Sequence, residues 1–311
     1  MPKLKKQFLE VSDAIELGNP SITEKDYWVV SLLAMLESVE SEHHQLVFSG
    51  GTALAKSNIK ILRMSEDVDI KLIPNQEFLN KGTGAKRKAR KALVENLIAR
   101  LVDHAYLKYS KRTVRDSYRY VEIEIEYPQQ YHQAPCLRPY IKLELIETIE
   151  FQGVEPRSIS SLVAQSYNQP AEVNAMSCIS IDLTLVEKVL SMLRRTMSVK
   201  RNPQRKDDET LVRHIYDVHC INAQHTIDIG ALKPIFDTVL EEDKARYGNQ
   251  HQDFVADPRN ELKLGLEELE TNEKFRERFE AFVAPMVYST EPHDFDTCFT
   301  SFKNISEQLI N

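Results

Sequence analysis

The sequence predicts an α+β fold, with a front of about 180 residues that mixes strands and helices and a back that is almost wholly α-helical. Three observations carry this. Apolar and charged residues alternate with period two over 68–72, 120–127 and 141–145, as strands with one polar face require. A short apolar run, Leu46-Val47-Phe48, leads through Ser49-Gly50-Gly51 directly into a helix-compatible stretch. From Leu183 onward the apolar residues recur at three- and four-residue spacing, the period of a helix.

Taken in order, Phe8, Val11 and Ile15 predict a helix that Gly18 and Pro20 stop. Ser21 and Glu24 have capping-box spacing and open a second helix through Trp28, Val29, Leu32, Leu33 and Leu36. The 46–48 strand and the helix 52–58 follow, then the strand Val68, Ile70, Leu72. Ala89, Leu93, Leu97, Leu101 and Ala105 form the apolar face of a long helix over about 85–107. After the strands 120–127 and 141–145, the polar stretch with Gly153, Pro156 and Ser158 to Ser161 reads as a connection. The helices of the back run through Leu183 to Met197, Leu211 to Val218, and Phe295 to Leu309. The expected division is 1–182 for a catalytic region and 183–311 for a helical region that closes one wall of its site.

The 311 residues carry 40 Lys+Arg against 47 Asp+Glu, a formal net charge of −7, with 42% hydrophobic and 28% charged side chains. That composition belongs to a soluble globular chain long enough for two domains. No apolar run approaches the ~20 residues that span a bilayer, and Met1 to Glu10 is charged, so neither secretion nor a membrane partner is expected. Cys136, Cys178, Cys220 and Cys298 are far apart and form no C-x-x-C pair, which excludes a compact zinc module and predicts reduced thiols, without disulfides, in a cytoplasm. The average charge conceals an asymmetry. Residues 221–311 hold nine basic and eighteen acidic side chains, whereas 81–120 hold twelve basic and three acidic.

The segment LVFSGGTALAKSNIKILRMSEDVDIKL at 46–72 carries the chemistry. Gly50 and Gly51 at a helix start leave backbone N–H groups open to a phosphate. Asp67 and Asp69, two apart on a strand, project from one face and offer hard oxygen ligands for Mg²⁺ bound to a nucleoside triphosphate. A third carboxylate on a neighbouring strand would complete a two-metal site. Either motif alone is often a plain turn or a solvated face; their order and proximity are what point to a site.

The segment resembles the G-[ST]…D-x-D core of the nucleotidyltransferase superfamily with the polymerase-beta-like fold. "SGGTAL" and "RMSEDVDI", with "EKDYWV" upstream and "EK…R…YD" downstream, are similar to the AbiEii/AbiGii abortive-infection toxin family of bacteria. The resemblance covers most of residues 20–220, and residues 221–311 match no pattern. Thr52 stands where the superfamily usually has Ser, and 14 residues separate it from Asp67, slightly more than usual. The resemblance implies a mixed sheet with flanking helices and a Mg²⁺-dependent transfer of NMP from an NTP to a hydroxyl. It also implies a toxin with an RNA acceptor, tRNA above all, and a cognate antitoxin encoded nearby in a phage-defence system.

Carried over residue by residue, the resemblance makes Gly50, Gly51, Thr52, Arg63 and Ser65 nucleotide-binding, and Asp67, Asp69 and Glu144 metal-binding and catalytic. Glu122, Glu124 and Glu126 compete with Glu144 for the third carboxylate. Lys188 matches the family's lysine-bearing helix and would face the triphosphate; Asp217 matches an acidic position there, and Arg213 is spaced to pair with it. Lys25 and Asp26 recur in the family pattern and read as scaffold. Lys86, Arg87, Lys88, Arg90 and Lys91, with Lys111, Arg112, Arg115 and Arg119, form a basic patch suited to an RNA acceptor. Arg194, Arg195, Lys200, Arg201, Arg205 and Lys206 form a second basic zone. The alternatives are nucleotidylation of a small molecule or protein, and a non-catalytic nucleotide- or RNA-binding module.

Overall fold

In the computed structural model, residues 2–134, 137–149, 153–288 and 292–311 are described. The chain forms two compact units, one of residues 1–57 and 64–179, the other of 58–63 and 180–311. The boundary between the units follows Ile179, and the short segment 58–63 belongs with the helical unit.

In the first unit, α1 (Pro2–Ala14) and α2 (Pro20–Glu37) precede β1 (His44–Ser49), α3 (Gly50–Ala55), β2 (Val68–Pro74), α4 (Gln76–Leu79) and α5 (Thr83–Asp103). Then come β3 (Lys108–Arg115), β4 (Tyr120–Glu126), β5 (Ile141–Glu147), β6 (Val154–Ile159), α6 (Leu162–Ser166) and β7 (Val173–Ile179). The seven strands form one mixed sheet in the order β3-β4-β5-β2-β1-β7-β6. β2 runs antiparallel to β1 and parallel to β5, with Asp69 opposite Ser49 on one side and Glu144 on the other. The period-two alternation does its work here. Val68, Ile70, Leu72, Val121, Ile123, Ile125, Ile141, Leu143 and Leu145 are buried in one core with the apolar faces of α2 and α5.

Two expectations change. Asn19, not Ser21, caps α2, its side chain accepting from the Ser21 N–H ahead of Pro20. Ser21 and Glu24 are buried instead, where the Ser21 hydroxyl accepts from the Ala134 N–H and the Glu24 carboxylate from the N–H groups of Gln130 and Tyr131. The stretch read as a connection around Pro156 is strand β6, tolerated because it is an edge strand whose one inner neighbour is β7.

The second unit holds α7 (Ile181–Arg201), α8 (Arg213–Gln224), α9 (Ile229–Tyr247), α10 (Gln252–Ala256), α11 (Pro258–Thr271), α12 (Lys274–Phe282) and α13 (Phe295–Ile310). α7 packs against α8, α9 and α11, and α13 packs on α8. Gly265 lets α11 approach α7 closely, since a Cβ there would lie 2.8 Å from the Leu193 carbonyl oxygen. No described helix is long and apolar enough to cross a membrane. Cys178, Cys220 and Cys298 are buried free thiols; Cys136 lies outside the described residues.

Candidate active site

β1 ends at Ser49 and the chain turns through Gly50 at φ +78°, a backbone angle that side chains resist. Its second requirement is space. A Cβ on Gly50 would lie 1.9 Å from Asp69 Oδ2, so the glycine is what allows the turn and the carboxylate to touch. Gly51 and Thr52 follow in the first turn of α3. Thr52 is buried, and its hydroxyl donates to the Asp67 carbonyl at 2.5 Å and lies 3.0 Å from the Ser65 hydroxyl. Thr52 and Ser65, expected to meet a nucleotide, fasten the 65–67 segment against α3. The Ser49 hydroxyl donates to the Asp69 carbonyl at 3.1 Å and holds the strand on the other side of the turn.

Register places the acids in a row. Asp69 on β2 is opposite Glu144 on β5, and Glu144 is opposite Glu122 on β4, all half-buried on the sheet face away from the apolar core. Asp67 precedes Asp69 by two and shares its face. The Glu144 reading thus has a geometric reason, since of the residues considered it is the one directly beside Asp69. These are hard oxygen donors on adjacent strands, a set suited to Mg²⁺. Two cations sit among them. Lys142 Nζ is 2.6 Å from Glu144 and 3.3 Å from Asp67, and the Arg138 guanidinium pairs with Asp67. Burial alone would lower the Lys142 ammonium, but Asp67 and Glu144 outweigh it and raise it well above the usual lysine range; Arg138 is raised in the same way by Asp67 and Glu66. Of these carboxylates, Asp67 and Glu144 are partly committed to a cation.

Sequence reasoning missed Arg138, a loop residue before Pro139 with no pattern around it. Lys142 carried a signal in its alternation with Glu144. Behind this face, buried Lys25 pairs with buried Glu66 and donates to the Arg138 carbonyl at 2.8 Å, while Glu66 accepts from the Arg138 N–H at 2.9 Å. That makes Lys25 the strut that sets the Arg138 loop. Tyr120 donates to Glu122 at 3.1 Å, and burial followed by the charges of Glu144 and Glu122 raises its phenol far above the ordinary value.

The second unit has its own charged centre. Arg63 grips Asp217 with two bonds of 2.7 and 2.6 Å, and Lys188 Nζ donates to the same carboxylate at 2.7 Å. All three are buried, Asp217 completely. Burial would raise the Asp217 carboxyl, but Arg63 and Lys188 hold it well below the usual range. The Arg213 guanidinium turns back to the Thr210 carbonyl and hydroxyl, while Asp217 takes its cations from Arg63 and Lys188. Asp217 is thus the anion that fixes Arg63 and Lys188.

The basic patch divides. Arg90 is buried and donates two 2.6 Å bonds to Glu147, which also meets His44 at 3.0 Å; it is a structural residue and is withdrawn from the acceptor set. Lys86, Arg87, Lys88 and Lys91 lie on α5, the helix that packs on the apolar sheet face, opposite the carboxylates. Lys111 and Arg115 on β3 do share the carboxylate face. Lys111 is opposite Glu124 and 3.5 Å from it, and Arg115 stands 5.5 Å over the Tyr120 ring. Among the described residues, Glu42, His43 and Glu77 alone bring metal-capable atoms within one ion's reach, but this group is largely exposed and lies at the other end of β1 from Gly50. It has none of the glycine turn or strand register that surrounds Asp69.

No curated protein matches the chain. Among solved structures it resembles MenT4, a nucleotidyltransferase toxin of Mycobacterium tuberculosis H37Rv, with a TM-score of 0.59 and 16% identity over 97% of this chain and 89% of that one. At that identity the likeness establishes the fold. The model of the nucleotidyl transferase AbiEii toxin family, of type IV toxin–antitoxin systems, matches residues 31–301, which include the glycine turn, the acidic row and the Arg63–Asp217–Lys188 centre. The chain belongs to this family, and is a nucleotidyltransferase toxin of the type IV toxin–antitoxin kind.

Proposed function

We propose that the chain moves a nucleoside monophosphate from an NTP onto a hydroxyl of an RNA acceptor, with tRNA the acceptor that the family resemblance suggests. The observation that carries this reading is the contact of Gly50 with Asp69, which stands beside Glu144 across one strand pair and two residues from Asp67. The acceptor oxygen bonds to the α-phosphorus, the bond to the bridging oxygen breaks, and pyrophosphate leaves. Glu144 takes the hydroxyl proton. Asp67, Asp69 and Glu144 would hold Mg²⁺, which when bound supplies charge stabilisation at the α-phosphate and the departing oxygen. Arg138 and Lys142, already beside these carboxylates, would bear on the triphosphate, and Gly50 and Gly51 leave room for its oxygens. Lys188, for which the family resemblance implies a role toward the triphosphate, is held by Asp217 within the helical unit.

Lys111 and Arg115 are the cations that share the reacting face, so they, more than the α5 lysines, would meet RNA phosphates. The position of α5 on the opposite sheet face favours a second reading, in which a small molecule or protein hydroxyl is the acceptor. Incubation with each α-labelled NTP, Mg²⁺ and total RNA separates the two, because label in a discrete RNA band supports the first reading and label in protein or a small product the second. Absence of transfer to any of these overturns both. With NTP and RNA as substrates the site of action is the cytoplasm, and the growth arrest of an unchecked toxin fits a phage-defence role.

A further inference from the structure

The second basic zone of the sequence has a place in the fold that nucleotidyl transfer does not use. Within the helical unit, α7, the 205–212 segment, Tyr247 and the start of α12 enclose a cavity of about 330 Å³. That is the lower end of the range of small-molecule sites. Six cationic side chains line it against two carboxylates. Three of the six have an acidic partner: Arg194 bonds Asp243 at 2.8 Å while lying 3.8 Å over the Tyr247 ring, Arg195 bonds Asp208 at 2.8 Å, and Arg278 bonds Asp207 at 2.7 Å. The other three, Arg205, Lys206 and Lys274, have no carboxylate within ion-pair distance among the described residues; Arg205 donates to Ser198 and Gln250, both neutral.

The wall of the same cavity carries one unbonded polar group. Thr196 lines it, is 6% exposed, and its hydroxyl has no hydrogen-bond partner among the described residues. A threonine inside a helix ordinarily donates to the carbonyl four residues back. Here that bond is not made, and the hydroxyl is covered by its neighbours rather than open to the cavity. Excess positive charge and guanidinium forks already held by their own carboxylates are the features that recognise phosphate oxygens.

We infer that this cavity binds a phosphate-bearing ligand, its anionic oxygens among Arg205, Lys206 and Lys274. The same chemistry is offered by a free polyphosphate and by the phosphodiester of an RNA strand. The inference stands apart from the nucleotidyl-transfer reading, because every lining residue lies in the helical unit and none belongs to the acidic row.

The test is calorimetric titration of the full chain in EDTA, which suppresses metal-dependent binding, with inorganic tripolyphosphate and separately with a short single-stranded RNA. Wild type is compared with Lys206→Glu/Lys274→Glu, two positions that are not buried, and with Lys3→Glu/Lys233→Glu, two exposed lysines outside every proposed site, as an equal change of charge. Weakening of tenfold or more by the cavity pair, and little by the control pair, is expected. Weakening confined to tripolyphosphate identifies a free polyphosphate as the ligand, and weakening confined to RNA identifies a phosphodiester, with the salt dependence flattened by about 0.7 per lost contact. Equal weakening by both variant pairs, or none, overturns the inference. Hydrogen exchange on the wild-type chain checks the location without any variant: ligand-induced protection of 191–212 and 274–278 is expected, and protection only elsewhere contradicts it.

Discussion

At the scale of single residues, Gly50 and Asp217 do most to define the two charged centres. Gly18 and Gly50 both have positive φ, but Gly18 has open space where Gly50 has the Asp69 carboxylate. Gly18→Ala should therefore cost only the backbone strain, about 1–2 kcal/mol. Gly50→Ala adds a collision that displaces Asp69, so it should cost more in a denaturant titration and abolish transfer. Equal costs would mean that the close approach is unimportant. Asp217→Asn leaves Arg63 and Lys188 buried without their anion, and should lower unfolding free energy by about 3–5 kcal/mol. An unchanged melting curve would show that the centre is not structural. The D-x-D pair and the glycines were legible in the sequence because local spacing fixes their geometry. Arg138 was not, because Lys25 and Glu66, more than 70 residues away from it, set its loop.

Elements show a similar division. The interior strands β2, β4 and β5 announce themselves by alternation, since one face is buried and the other is not. The edge strands β3 and β6 have no such contrast: KYSKRTVR has only Tyr109 and Val114 as apolar residues, and β6 contains Pro156. Nothing local marks them; pairing with β4 and β7 makes them strands. Between elements, Glu147 at the end of β5 ties α5 to β1 through Arg90 and His44. Burial would raise its carboxyl, but the bonds from His44 and Arg90 outweigh burial and hold it at about 2, against 4.5 when unperturbed. Its folded-state value is depressed, so its contribution is complete above 4.5 and disappears as pH falls toward 2. The shift corresponds to about 3 kcal/mol. Unfolding free energy measured across that window should fall by this order in wild type and less steeply in Glu147→Gln; parallel curves would contradict the assignment. In the helical unit, Gly265→Ala should cost about 1–3 kcal/mol by forcing α11 off α7, and a neutral effect in thermal melting would show that the helices yield freely.

For the whole molecule, the net charge of −7 averages unlike parts. The acidic surplus lies in 221–311, yet the basic cavity is built partly from that same region, by Tyr247, Lys274 and Arg278. The fold class and the family could be read from 46–72 and the alternating strands, as could the place of Asp69 and Glu144 on polar strand faces. The packing of α5 on the sheet face opposite the carboxylates could not, because linear charge density does not reveal on which sheet face a helix packs. The central claim is that Asp69 and Glu144, neighbours across β2 and β5, form the reacting centre. It is tested most directly by comparing initial rates of α-labelled NMP transfer for wild type, Asp69→Asn and Glu144→Gln at saturating Mg²⁺, with folding verified by circular dichroism. The account predicts that each folded variant loses transfer by about 100-fold or more; wild-type rates in either folded variant would contradict it.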